Sequence, residues 1–216
     1  YGSFMTKANR RPTLSVTQAL DEPKRQTDRI VLPPASYVHE QEKINQRWPA
    51  AVEFIRSRGL NEVFGPAGGK IGVVMQGGMY NGVIRALQRL GLADIYGNTE
   101  IPLYCLNVTY PLVDSEVLRF AAGKKAVLMI EEGQPEFIEQ SLSTIFLRSD
   151  LKVKLHGKDI FPMAGEYTGQ VMFESISEFL RLNAPGLLPD KMRAPNQPPP
   201  EIPDLSKTVP IRPPGF

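Results

Sequence analysis

Two stretches of this sequence carry residue types and spacings able to do chemistry. The first, Gln76-Gly77-Gly78-Met79-Tyr80-Asn81-Gly82, follows an apolar run and opens a helical pattern. A glycine turn at a helix N-terminus can hold a phosphate on backbone N–H groups. The dinucleotide fingerprint, however, needs a residue between its first two glycines, whereas Gly77 and Gly78 are adjacent and no P-loop lysine follows. The second stretch ends in Glu131-Glu132, at the carboxyl end of a strand, where open α/β sheets place their sites. Neighbouring residues on an extended chain point to opposite faces, so these acids do not form a general acid/base pair across one substrate. One is expected to cap the helix that follows and the other to pair with a partner. The single cysteine, Cys105, lies inside the apolar run Leu103-Tyr104-Cys105-Leu106 and reads as a buried structural thiol. One Cys with His39 and His156 builds no disulfide framework and no zinc or iron–sulfur site from this chain alone. Both histidines fall in segments that read as surface, and no Ser-His-Asp order stands out. On chemistry alone the chain reads as a binding or structural module.

The elements that position these residues follow from periodicity. Ala126-Val127-Leu128-Met129-Ile130 has no polar position, so it predicts a central parallel strand covered on both faces. Pro135 opens the next helix, with Phe137, Ile138, Ser141, Leu142, Ile145 and Phe146 as its buried stripe. Ile71 to Gln76 predicts a strand, Gly77-Gly78 a tight turn, and Tyr80, Val83, Ile84, Leu87 and Leu90 a helix that Gly91 ends. Ile101 to Val108 predicts another strand, Thr109 to Leu112 a loop, and Asp114 or Ser115 the cap of a helix running to Gly123. Lys152 to Gly157 alternates and predicts a half-exposed strand near an edge. The last helix is expected over 168–182. Ahead of these, the pattern turns helical from Val38, with Pro49 opening a second helix whose stripe is Ala51, Val52 and Ile55 and whose C-cap is Gly59. Arg29 to Leu32 predicts a short added strand. Strands alternating with helices predict an α/β fold: three layers, α/β/α, around a mostly parallel, mixed sheet of about five strands.

Composition sets the outer bounds. The chain has 216 residues and a formal net charge of +2, which gives no sign of a nucleic-acid surface. No apolar run reaches membrane-span length and no signal-peptide core is present, so a reducing cytoplasmic setting with no membrane partner is expected. Ten of the 20 prolines lie in the 34 residues from Asn183 to Phe216, which marks an extended linker. The segment 1–29 is polar and aperiodic and reads as an arm. The expected organisation is an N-terminal arm over 1–37, a helical lead-in over 38–64, an α/β domain over 65–183 and a Pro-rich linker over 184–216. The chain starts at Tyr1 and is expected to be an excised domain, a fragment or a processed product.

The stretch from Gly69 to Leu182 resembles the transketolase C-terminal-like domain of the thiamine-diphosphate-dependent 2-oxoacid:ferredoxin oxidoreductases, closest to the indolepyruvate ferredoxin oxidoreductase type. The residues that carry this are Lys70-Ile71-Gly72-Val73-Val74 with the glycine loop ending in Tyr80, Leu106-Asn107-Val108-Thr109-Tyr110-Pro111-Leu112, Val117 to Gly123, and Val127 to Pro135 with Ile138-Glu139-Gln140. They cover about half of the chain. Residues 210–216 resemble the run-in to the family's cysteine-containing module that binds the cofactor pyrophosphate, into which the native chain is expected to continue.

The resemblance implies a parent enzyme that decarboxylates an aryl or other 2-oxoacid, makes an acyl-CoA and passes electrons to ferredoxin, using thiamine diphosphate, Mg2+ and iron–sulfur clusters. It implies a homo- or hetero-oligomer in which this domain contacts the thiamine-binding modules as scaffold and subunit interface. The family's catalytic residues have no positions here, so no catalytic, cofactor-binding or metal-binding residue is assigned and the chain alone is expected to be inactive. Gly77, Gly78, Tyr80, Thr109, Tyr110, Glu131 and Glu132 are the loop or interface positions. The alternative is a free-standing α/β module that binds a small anionic ligand at the Gly77-Gly78 loop.

Overall fold

The computed structural model describes residues 32–190. The expected arm, most of the Arg29 to Leu32 strand and the Pro-rich segment beyond Asp190 lie outside the described residues. The chain divides into two compact units, 1–50 and 51–216. In the first, α1 (Ala35–Glu42) is followed by a π-helical turn, Lys43–Arg47, in which Arg47 donates to the His39 carbonyl at 3.2 Å. The expected helix start at Pro49 moves to Trp48, where α2 (Trp48–Arg58) begins. Pro49 has no N–H to give and its ring crowds the carbonyl four residues back, and the wider π turn just before it accommodates both. Of the predicted α2 stripe only Ile55 is buried.

The second unit holds five strands: β1 (Glu62–Phe64), β2 (Ile71–Gln76), β3 (Leu103–Leu106), β4 (Ala126–Ile130) and β5 (Lys154–His156). They form one sheet in the order β1-β3-β2-β4-β5, parallel except for β1, which runs antiparallel to β3. The helices are α3 (Tyr80–Arg89), α4 (Asp114–Ala121), α5 (Phe137–Leu147) and α6 (Gly169–Asn183). Every residue of β4 is buried, as a strand between two helical layers requires. Alternation assigns the layers. Ile71, Val73, Met75, Leu103, Ala126, Leu128 and Ile130 pack with Val83 and Leu87 of α3 and Met172, Ile176 and Phe179 of α6. Val74, Tyr104, Leu106, Val127 and Met129 face the other way, onto Val117 and Phe120 of α4 and Ile138, Leu142 and Phe146 of α5. The fold is therefore α/β in three layers.

The structure corrects several local expectations. Gly77-Gly78 is no separate turn: Gly77–Met79 forms a 3-10 turn running into α3. The β3 strand is shorter than Ile101 to Val108, because Pro102 has no N–H and the Asn107 side chain bonds outside the ladder. The edge strand likewise shrinks to Lys154–His156. In α5, which begins at Phe137, the spacing of four buries Ile138, Leu142 and Phe146, while Phe137 and Ser141, each one residue before a member of that row and so about 100° around the helix from it, are exposed. Val113, not Asp114 or Ser115, occupies the N-cap of α4, and Asp114 and Glu116 sit in the first turn, where the helix dipole favours acids. His156 is 1% exposed rather than on the surface. No helix among the described residues is long and apolar enough to cross a membrane.

Candidate functional site

The carboxyl ends of β2, β3 and β4 come together, and short polar side chains tie their loops. Gln76, the last residue of β2, accepts the Glu132 N–H on its Oε1 at 3.0 Å, joining the β2 and β4 ends. Gly77 lies so close to the β3 end that a Cβ there would sit 2.7 Å from Asn107 Oδ1. A Cβ at this position would force the Asn107 amide to shift. The Asn107 amide donates to the Leu60 carbonyl at 3.0 Å and to Glu62 Oε2 at 2.8 Å, and Asn61 Oδ1 accepts the Val108 N–H at 3.0 Å. Behind them the Tyr104 hydroxyl donates to Glu116 Oε2 at 2.8 Å. Burial, then the neighbouring Glu116, pushes the Tyr104 phenol well above the ordinary tyrosine range. Burial, then the charge of Glu62, pushes the Cys105 thiol up as well, so it is no ready thiolate. Gly78 is exposed, and Tyr80 stacks on Phe64 with centroids 4.9 Å apart. Thr109 and Tyr110 stand exposed on the β3 loop, ahead of a cis Tyr110–Pro111 bond.

The two adjacent acids take different roles. Glu131, buried, accepts the Ile138 N–H on both oxygens at 3.0 Å and the Glu139 N–H at 3.0 Å. It caps α5 from seven residues upstream, satisfying donors that a helix start leaves orphaned. Glu132 points elsewhere and accepts the Tyr167 N–H at 2.6 Å, pinning the β5–α6 connection to the β4 end. The sheet's period of two thus separates the pair.

A second polar cluster, which the sequence did not signal, sits at the end of β5. His156 Nδ1 donates to Asp159 Oδ2 at 2.7 Å, and its Nε2 lies 3.3 Å from Asn183 Nδ2. With both ring nitrogens engaged, the imidazole braces β5 against α6 rather than serving as a free base. Burial raises the Asp159 carboxyl, but the Gly157 N–H and His156 outweigh it and hold the group below the usual range. Glu139 accepts the Lys158 N–H at 2.9 Å, yet burial leaves its carboxyl above the usual range. Gly157 makes this approach feasible, since a Cβ would lie 2.1 Å from Glu139 Oε2. The only sequence sign was the glycine and aspartate of His156-Gly157-Lys158-Asp159, which mark a turn in which Asp159 Oδ1 accepts the Gly157 N–H at 2.8 Å.

Taken together, the strand ends are rich in acceptor oxygens engaged by backbone N–H groups, by the Asn107 amide and by the Tyr104 hydroxyl. Such a crest braces loops and does not suit an anion. Among the described residues no three metal-ligating side chains converge. A shallow depression beside α6 is lined by Ile160, Phe161, Pro162, Val171, Glu174 and Glu178, and Glu178 is already paired with Arg181.

Comparison with known proteins completes the picture. Residues 61–182 match the family model described as the indolepyruvate oxidoreductase domain. Indolepyruvate oxidoreductase subunit IorA of Methanothermobacter thermautotrophicus is 35% identical over 121 residues, covering 55% of this chain and 18% of that protein. The subunit of the same name from Thermococcus kodakarensis is 29% identical over 126 residues, 58% of this chain and 18% of that protein. The chain therefore spans about a fifth of the length of these curated relatives. Among solved structures, a 2-oxoglutarate:ferredoxin oxidoreductase from Magnetococcus marinus, with 2-oxoglutarate, coenzyme A and succinyl-CoA bound, aligns with a TM-score of 0.46 and 18% identity over 69% of this chain and 24% of that one.

Proposed function

The chain belongs to the indolepyruvate oxidoreductase domain family, and from that premise we propose that it is the scaffold and interface domain of a thiamine-diphosphate-dependent 2-oxoacid:ferredoxin oxidoreductase. The parent enzyme would convert an indolepyruvate-like 2-oxoacid to an acyl-CoA and deliver electrons to ferredoxin through iron–sulfur clusters. The observation that supports this reading is a family match over 61–182, a region that corresponds to about a fifth of the length of the curated relatives. The proposed boundaries are those of the sequence, namely arm, helical lead-in, α/β domain over 65–183 and Pro-rich linker, with β1 (Glu62–Phe64) at the end of the lead-in joining the domain's sheet, in a cytoplasmic enzyme.

The chain's own residues do not fit the cofactors. A diphosphate–Mg2+ group needs several free carboxylate or amide oxygens converging on one point, whereas among the described residues Glu131 spends both oxygens on backbone donors, Glu132 holds the Tyr167 N–H on Oε1, Asn107 Oδ1 faces Gly77 and no three metal-ligating side chains converge. A four-iron cluster needs four thiolates, and the sequence has one cysteine. No step of the reaction is therefore assigned to this chain. Calorimetric titration with thiamine diphosphate plus Mg2+, and separately with ATP, tests the reading. We expect no heat of binding at millimolar ligand. Saturable binding of thiamine diphosphate would overturn the scaffold assignment, and saturable binding of ATP lost on Gly78→Asp would favour the anion-binding alternative.

A further inference from the structure

The segment between α3 and β3 is a small, rigid hairpin. Asp94 Oδ1 accepts the N–H groups of Tyr96 and Asn98 at 2.8 and 2.9 Å, and Oδ2 accepts Asn98 Nδ2 at 2.6 Å. The Asp94 N–H donates to the Asn98 carbonyl at 2.9 Å, and Ala93 pairs with Thr99 in an antiparallel bridge. Gln88 of α3 donates to the Asp94 carbonyl at 2.7 Å. Gly97 turns the chain at φ +87 and packs against the Tyr80 hydroxyl, which a Cβ would meet at 3.1 Å. Tyr80 in turn stacks on Phe64, the residue after the exposed Val63. So much internal bonding fixes a loop whose two apex side chains are left in solvent. Ile95 is 83% exposed and Tyr96 85% exposed. The tip residues Ile95-Tyr96-Gly97-Asn98 carry no charge.

Adjacent large apolar and aromatic side chains, solvated on a backbone already held by hydrogen bonds, leave little backbone entropy to lose on docking, and this is the make-up of an interface anchor. An uncharged tip calls for an apolar socket, with a polar group for the tyrosine hydroxyl, rather than an ion pair or a nucleic-acid backbone. The relatives have over four-fifths of their length outside the region matched here, so the material to form such a socket is present in enzymes of this kind. We propose that Ile95 and Tyr96 are the docking anchor of this domain, inserted into an apolar socket on another module of the same oxidoreductase. The proposal rests on the scaffold reading above and names its contact.

Hydroxyl-radical footprinting of the 216-residue chain and of the full-length subunit carrying it provides the test, with Tyr110 and Phe137 as other exposed reporters. Tyr96 oxidation is expected to fall about tenfold in the full-length subunit, as burial of an anchor demands. The double variant Ile95→Ser, Tyr96→Ser is expected to lower the urea midpoint of the full-length subunit and to leave that of the 216-residue chain unchanged. If Tyr110 or Phe137 is protected and Tyr96 is not, the anchor is wrong and the scaffold reading stands. If no position on the domain is protected, both fail. Protection of Tyr96 in the 216-residue chain alone, rising with its concentration, would replace the module by a second copy and refute the proposal.

Discussion

Replacing Glu131 by Gln keeps the size of the side chain and removes its charge and one acceptor oxygen. In the fold, Glu131 accepts three contacts from the Ile138 and Glu139 N–H groups, all at 3.0 Å, from a side chain almost fully buried between β4 and α5. Hydrogen bonds to a charged acceptor contribute about 1.5–3 kcal/mol. A carboxylate at a helix start gains roughly 0.3–1 kcal/mol more from the dipole. The glutamine retains one acceptor and turns an N–H2 toward backbone donors, so about 2–3 kcal/mol should be lost, a large part of an ordinary domain's stability. Urea unfolding followed by far-UV circular dichroism reads this loss as a lower midpoint at unchanged slope. Glu132→Gln, which touches one N–H at a half-buried site, should cost about 1 kcal/mol. If Glu131→Gln unfolds within about 0.5 kcal/mol of the parent, or if Glu132→Gln is the more damaging, the capping argument is refuted.

Other perturbations probe the rest of the frame. Leu128→Asp places an unpaired carboxylate at a fully buried position of β4 and should cost several kcal/mol (~3–5), so loss of the cooperative melt is expected and a melt near the parent's would remove β4 from the core. Gly157→Ala drives a methyl into Glu139 and should cost about 1–3 kcal/mol, with Glu139→Ala restoring part of it in a double-mutant cycle; strict additivity would deny the contact. For Tyr104 the folded phenol titrates above the unfolded one, so its contribution to stability is complete below about pH 10 and falls as the pH rises from there toward the folded value, because the unfolded state releases the proton first. Urea unfolding from pH 8 to 11.5 should therefore show a steeper alkaline loss in the parent than in Tyr104→Phe, and parallel profiles would contradict the assignment.

How much was legible in the sequence depends on how local the cause is. Ala126 to Ile130 declared itself because a strand covered on both faces has no polar phase, and the split roles of Glu131 and Glu132 followed from alternation alone. His156 misled because it shares its alternation phase with Lys152 and Lys154. Phe179 and Asn183 of α6 cover that phase only at its end, a tertiary fact with no local trace. The strand β1 escaped notice because three residues, Glu62-Val63-Phe64, are too few to establish a period, and its pairing with β3 supplies the order. At the candidate site the glycines were visible, but their reason was not. Gly77 answers to Asn107, thirty residues on in sequence, and Gly157 to Glu139.

The central claim, that this chain is a non-catalytic scaffold domain of a 2-oxoacid oxidoreductase, is tested most directly by anaerobic reduction of a viologen dye with indolepyruvate, coenzyme A, thiamine diphosphate and Mg2+. The assay is run on the purified 216-residue chain and on the full-length subunit with its partner subunit. The account predicts dye reduction by the full-length enzyme and none above the no-protein blank by the chain alone. Substrate-dependent reduction by the 216-residue chain would contradict it.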